Sequence, residues 1–213
     1  MKTYFEKNKS CYNKMAPFYK IRKERGDFKI GEDIIKFSSL MKEQFQNPHI
    51  LEIGSGAGVV LDYLSQKEFK TTAIDISDKM IAIAKENSQK TEYILGNFLE
   101  YNFNDRKFEG LFAKSIFHLF GAKDASLFIQ KSHKLLINNG LIYLSLFIRD
   151  KSQEGFKSKN MEGKKFIRYS KDWTKEELGN FLNNSPFDII YTSMVPYGTM
   201  NKWSGILKKQ LSD

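Results

Sequence analysis

Ile50-Leu51-Glu52-Ile53-Gly54-Ser55-Gly56-Ala57-Gly58 is the stretch that decides the fold. Its leading residues read as a short buried strand, and the glycines behind them as a tight turn into a helix. Glycine suits that turn because the backbone there must reach φ values closed to other residues and let a ligand approach without a Cβ in the way. The helix that follows, over about Val59 to Gln66, points its free N-terminal amides at whatever fills the turn. Thr71-Thr72-Ala73-Ile74-Asp75 reads as the next parallel strand, and Asp75 lies about 20 residues past the glycines, placed to accept hydrogen bonds from two ribose hydroxyls. The pieces describe a nucleoside pocket at the carboxyl edge of an α/β sheet.

Outward from that stretch, the chain alternates strand and helix. Strands are expected near 49–53, 70–74, 92–95, 108–113 and 140–147, with helices near 57–66, 78–88 and 123–137, the rhythm of a parallel sheet with crossovers on both faces. Ser77 or Asp78 caps the second of those helices, and Asn138-Asn139-Gly140 reads as the turn that ends the third. Ahead of the sheet, residues 2–24 carry a loosely amphipathic pattern broken near Pro17. Asp27 is placed to cap a helix running to about Phe45, and Asn47-Pro48 stops it. Residues 149–165 are polar, lack apolar periodicity and read as a long functional or disordered loop. A helix near 174–183 and two β-rich runs, 187–194 and 203–208, complete the chain.

A length of 213 residues favours one domain with a sizeable core. The single cysteine, Cys11, excludes an internal disulfide and fits a reducing compartment. No run approaches the roughly 18 apolar residues of a membrane span, and Met1-Lys2-Thr3-Tyr4-Phe5-Glu6 lacks the apolar core of a signal peptide, so a cytoplasmic protein is expected. The formal charge of +9 raises the question of nucleic acid. The basic residues are spread along the chain, and Glu24 interrupts their densest cluster, Lys20 to Arg25, which favours a solvated surface.

Two nucleoside-binding readings compete for the glycine turn. A dinucleotide fingerprint, G-x-G-x-x-G, requires a third glycine where Val59 stands. The spacing found, Gly54-x-Gly56-x-Gly58 behind the acidic Glu52, resembles motif I of class I S-adenosylmethionine-dependent methyltransferases. Ile74-Asp75-Ile76-Ser77-Asp78-Lys79-Met80 resembles that family's second-strand segment, and Leu95-Gly96-Asn97-Phe98 the segment that contacts adenine. Asn139-Gly140 matches the turn before the family's fifth strand. The resemblance covers about residues 48–147 and is weaker in the flanks.

The resemblance implies a Rossmann-like, doubly wound α/β fold with a mostly parallel seven-stranded sheet, one antiparallel strand and an N-terminal helical lid. It divides a single domain into a lid (1–46), a cofactor-binding core (47–148) and a substrate-side segment ending in a hairpin (149–213). The implied cofactor is S-adenosyl-L-methionine, released as S-adenosyl-L-homocysteine. Gly54, Gly56 and Gly58 would close on its methionine part and Asp75 on its ribose. Ile76 and Met80 would pack on adenine, with Phe98 flanking the ring and Asn97 accepting from its amino group. Tyr12 and Tyr19 would shield the sulfonium. Glu52, Ser55, Lys114 and Ser115 complete the expected cofactor contacts.

The segment after the fourth strand, Ser115-Ile116-Phe117-His118-Leu119, lacks the Asp/Asn-Pro-Pro-aromatic motif of base-amine methylases and resembles the small-molecule branch. His118 stands there as candidate general base, or as a group that merely lines the pocket. Arg22, Phe117, Arg168 and Tyr169 are candidate substrate contacts, Arg22 through a bidentate carboxylate pair. The function implied is methyl transfer to a small molecule at O, N, S or activated carbon, with no metal. An RNA or protein acceptor, a non-catalytic cofactor-binding protein and a nucleotide-dependent oxidoreductase are the rivals.

Overall fold

A computed structural model describes residues 3–210. The expected lid and C-terminal division each extend past those bounds, to residues 1–2 and 211–213, which lie outside the described residues. Two helices, α1 (Tyr4–Glu24) and α2 (Glu32–Gln44), precede β1 (His49–Ile53), α3 (Val59–Gln66), β2 (Lys70–Asp75), α4 (Asp78–Lys85) and β3 (Glu92–Leu95). Then come β4 (Phe108–Lys114), a 3-10 turn (Phe117–Leu119), α5 (Ala122–Leu135) and β5 (Leu136–Ile148). A hairpin of β6 (Gln153–Met161) and β7 (Lys164–Asp172) leads to α6 (Lys175–Asn183), β8 (Phe187–Tyr197) and β9 (Met200–Lys209).

The main sheet has seven strands in the order β3-β2-β1-β4-β5-β9-β8, and only β9 runs against its neighbours. This is the expected Rossmann-like architecture. Alternation along each strand divides the core. Ile50, Phe112, Leu141 and Tyr143 face Phe37 and Met41 of α2 and Leu64 of α3. Leu51, Leu111, Ile142 and Leu144 face Phe128 and Ile129 of α5 and Leu178 and Leu182 of α6. Strand order reverses between β1 and β4, which opens a crevice beyond their carboxyl ends.

Four local expectations are corrected. Helix α1 runs unbroken through Pro17, its start fixed by a Thr3–Glu6 capping box and its face just before the proline anchored by the buried Met15 and Ala16. Gly31, not Asp27, caps α2; the Asp27 carboxylate is held by Arg22 and Arg25 at 3.1 and 2.6 Å. Asn138 to Gly140 form no turn between helix and strand: β5 begins directly after α5, and Asn139, at φ 62°, marks an irregularity in its pairing with β4.

The largest correction concerns residues 149–165. Most of that segment is strand, paired in register from Gln153↔Asp172 to Met161↔Lys164 around a two-residue turn, Glu162-Gly163. Both turn residues have positive φ, 48° and 75°, as a hairpin of that length requires. The side-chain amide of Asn8, buried in α1, closes the hairpin onto the body. Its Nδ2 donates to the Tyr169 carbonyl at 3.1 Å, and its Oδ1 accepts from the Tyr169 N–H at 2.8 Å.

Gly58 (φ 76°) is where α3 and α4 approach each other: a Cβ there would stand 2.9 Å from the Ala84 Cα, whereas one on Gly56 (φ 50°) would meet nothing within 4 Å. Both substitutions to alanine carry the left-handed backbone penalty, about 1–2 kcal/mol. Gly58→Ala adds a backbone clash and is expected to lose at least about 1 kcal/mol beyond Gly56→Ala in urea denaturation. Equal losses would contradict the packing role.

Candidate active site

At the end of β1 the Gly54 N–H donates to the Ile74 carbonyl at 2.8 Å, which binds the glycine turn to the last residues of β2. Gly54 (φ 81°) and Gly56 reach backbone angles that only glycine holds without strain. The Asp75 carboxylate is thereby set inside the turn. It accepts from the Ser77 N–H at 2.8 Å, the Gly56 N–H at 3.4 Å and the Ser55 hydroxyl at 3.5 Å. Burial pushes its pKa up to about 6, and those donors hold it from rising further.

These groups form one wall of a cavity of about 510 Å³, a size suited to a nucleoside-containing ligand. Glu52, Gly54, Ser55, Gly56 and Asp75 line its base, and Ile76, Met80, Asn97 and Phe98 one side. Lys114 and Ser115, from the end of β4, line the other, while Tyr12, Tyr19 and Arg22 of α1 close over it. Ser115 sits at φ 53°, an angle unusual for a non-glycine residue, with its N–H held by the Ser145 carbonyl at 2.9 Å.

Two buried polar atoms of this lining have no partner, the Glu52 Oε2 and the Asn97 Nδ2. Burial pushes the Glu52 carboxyl well up, against the lowering effect of Lys114. The Asn97 Oδ1 accepts from the Leu99 N–H at 3.1 Å, which fixes the amide and leaves its Nδ2 hydrogens without a partner.

A second cavity, also of about 510 Å³, lies beside the first and shares Phe147 with it. His118 and Arg168 line it. The His118 Nε2 stands 2.8 Å from the Arg168 Nη1, which also donates to the Tyr12 hydroxyl at 3.1 Å. A guanidinium has no lone pair, so Nε2 must accept, and the ring hydrogen belongs on Nδ1, which is buried without a partner. Burial, then the nearby Arg168 and Lys159, hold the imidazole pKa well below its usual 6.5. A general base does not fit this geometry, because the free lone pair is already taken.

Three further expectations fail on geometry. Gly58 lines neither cavity and serves the α3–α4 contact. Phe117 is fully buried against Phe128 and Trp173, on the core side of the 3-10 turn that carries His118. Tyr169 stacks on Tyr4 at 4.2 Å, on the side of β7 away from Arg168. Arg22 is brought to the first cavity's lining, with its Nε bound to Asp27 and its guanidinium over Phe28.

The sequence reading missed Phe28, Phe147, Lys159 and Lys202, all in the first cavity's lining. Lys159 carries no apolar signal, because Lys157, Lys159 and Arg168 stand on the hairpin's inward face where a strand pattern ordinarily shows apolar residues. Phe147 and Lys202 carry no local signal, because the pairing of β5 with β9 brings them opposite each other.

Residues 51–144 match the sequence family described as a methyltransferase domain. Among solved structures, an S-adenosylmethionine-dependent methyltransferase from Clostridium acetobutylicum superposes with a TM-score of 0.70 at 15% identity, over 94% of this chain and 99% of that one. Magnesium protoporphyrin IX methyltransferase from Synechocystis, with bound S-adenosylmethionine, gives 0.70 at 13% identity over 99% of each chain. The 1,6-didemethyltoxoflavin-N1-methyltransferase of Burkholderia thailandensis gives 0.64 at 16% identity, over 84% of this chain and 79% of that one. At such identities these likenesses show the fold. No curated protein matches the sequence.

His118 is expected to stay uncharged in the folded protein at pH 6, as followed by its ring resonances in an NMR titration. Its folded pKa lies below the unfolded 6.5, so its contribution to stability is fully present above pH 6.5 and lost as pH falls below that value. A midpoint near 6.5 in the native state would contradict the assignment.

Proposed function

We propose that the chain, whose residues 51–144 match a methyltransferase domain, is a class I S-adenosylmethionine-dependent methyltransferase that methylates a small molecule at oxygen, nitrogen, sulfur or an activated carbon. The observation that carries the reading is the cavity itself: a glycine turn and a buried carboxylate at the sheet's switch point, covered by aromatic residues of α1. S-adenosylmethionine, when bound, supplies a sulfonium methyl group open to in-line displacement. The residues present fit it, since a Cβ on Gly56 would enter open space and the Asn97 Nδ2 lacks a partner.

The protein's part is to bind, orient and exclude water. Asp75 accepts from the ribose hydroxyls, and the bare backbone at Gly56 admits the amino-acid part. Ile76 and Met80 supply apolar contact to adenine, and the Asn97 amide donates to a ring nitrogen. Tyr12 and Tyr19 present aromatic rings to the sulfonium and keep water from it. His118, with its lone pair engaged, holds a hydrogen on Nδ1 as a fixed donor and takes no proton. The cover over both cavities, from α1 and from the hairpin, favours a small acceptor over RNA or protein. The relatives named for didemethyltoxoflavin and magnesium protoporphyrin IX support the same class.

Incubation with radiolabelled S-adenosylmethionine and a fractionated cell extract tests the acceptor class. Label is expected in dialysable metabolites, and label confined to RNA or protein would overturn the proposal.

Asp75→Ala removes a charged acceptor of two hydrogen bonds, and S-adenosylhomocysteine affinity is expected to fall by about tenfold or more. In the wild type, protonation below pH about 6 empties the same acceptor, so affinity should weaken toward tenfold per pH unit there and stay level above pH 7. Calorimetry at several pH values checks both. A flat profile from pH 5 to 8 would contradict the ribose assignment.

A further inference from the structure

We propose that the methyl acceptor is an anion, and that its negatively charged oxygens bind the Arg168 guanidinium at the boundary between the two cavities. The proposal rests on the methyltransferase reading and adds to it the charge of the substrate.

The argument begins with counter-ions. The register of the hairpin places Lys157 opposite Arg168, and alternation puts Lys159 on the same inward face. Lys157 is satisfied by Asp172 at 2.6 Å, and Lys171, farther along β7, by Glu177 at 2.7 Å. Arg168 and Lys159 are different. Both are partly buried, and among the described residues neither has a carboxylate within salt-bridge distance. Arg168 donates only to neutral groups, the Tyr12 hydroxyl and the His118 Nε2. Lys159 donates to the Tyr19 hydroxyl at 3.0 Å.

Charge taken out of water without a partner is costly, and a protein retains it where a ligand completes the pair. The surroundings raise the demand. Five Lys and Arg side chains line the second cavity against two Asp, and Asp172 is already engaged by Lys157. Burial and the cations Arg168, Lys159, Arg149 and Lys157 all keep His118 neutral, so its Nδ1–H remains a donor, buried and without a partner, in a residue lining the same cavity. A planar guanidinium with unused N–H groups beside an imidazole N–H fits the oxygens of a carboxylate or a phosphate.

The position also suits the chemistry. Tyr12 lines the first cavity and Arg168 the second, and the hydrogen bond between them spans the boundary. An acceptor anchored at Arg168 therefore extends toward the cofactor side along Phe147, which both cavities share. Binding energy spent on the anion is spent on orientation of the reacting atom.

The test titrates the full-length protein, with and without S-adenosylhomocysteine, using benzoate, inorganic phosphate and the neutral isostere benzamide. Calorimetry and the His118 ring resonances are followed together. At least one anion is expected to saturate and shift the His118 signals, at least tenfold more tightly than benzamide; the preferred anion tells carboxylate from phosphate. Arg168→Gln should weaken that anion tenfold or more, and Arg168→Lys by less. Both variants should keep S-adenosylhomocysteine affinity within twofold of wild type, which also reports that they are folded.

No preference for either anion over benzamide, or an Arg168→Gln variant that binds anion as the wild type does, would overturn the proposal. So would a tenfold loss of S-adenosylhomocysteine affinity in Arg168→Gln, because the guanidinium would then serve the cofactor's own carboxylate. Wild-type protein that binds an anion at Arg168 but no S-adenosylhomocysteine would instead sink the methyltransferase reading.

Discussion

Everything at the site depends on how β1 and β2 lie side by side. Their parallel register pairs Ile53 with Ile74, and the hydrogen bond from the Gly54 N–H to the Ile74 carbonyl carries that pairing one residue into the turn. Asp75 follows at once, so its carboxylate has no choice but to face the amides of the turn. A one-residue slip would reverse the side-chain alternation of β1, exchanging the faces of Ile50 and Leu51 and moving Asp75 away from Gly56. The core prevents this, because alternate residues of β1 are buried against different helix layers. The pocket is thus specified by the same packing that specifies the sheet.

The hairpin β6–β7 follows a different logic. It is a separate two-stranded sheet, and its contacts with the body run mainly through α1. Asn8 completes the outer edge of β7 as a neighbouring strand would, satisfying one N–H and one carbonyl with a single amide. The hairpin's inward face is apolar near its turn, where Met161 and Phe166 pack toward α1, and cationic farther along, at Lys159, Lys157 and Arg168. The first cavity is built mainly on the ends of the main sheet and α1, and the second is lined largely by the hairpin.

That contrast explains what was legible in the sequence. The glycine turn, Asp75 and the alternation of the main sheet are written in local terms: apolar runs, turn residues and a fixed spacing. The glycine turn and the carboxylate at the base of the first cavity could therefore be named from the chain alone. The hairpin was not legible as structure because Lys157, Lys159 and Arg168 stand where the reading looks for apolar residues. The role of His118 was not legible either. Whether its lone pair is free depends on Arg168, 50 positions away and on another sheet. Phe117 and His118 are adjacent in sequence, and only the geometry of the 3-10 turn sends the first into the core and the second to a cavity wall. Asn97 turned on a single backbone contact, the Leu99 N–H, which fixes the amide's orientation.

The central claim is that the glycine turn and Asp75 hold an adenosyl group linked to a sulfur amino acid. Titration calorimetry on the purified, folded protein with S-adenosylhomocysteine and, separately, with NADH tests it most directly. The account predicts one saturable site for S-adenosylhomocysteine and no measurable heat with NADH. Tight binding of NADH, with none of S-adenosylhomocysteine, would contradict it.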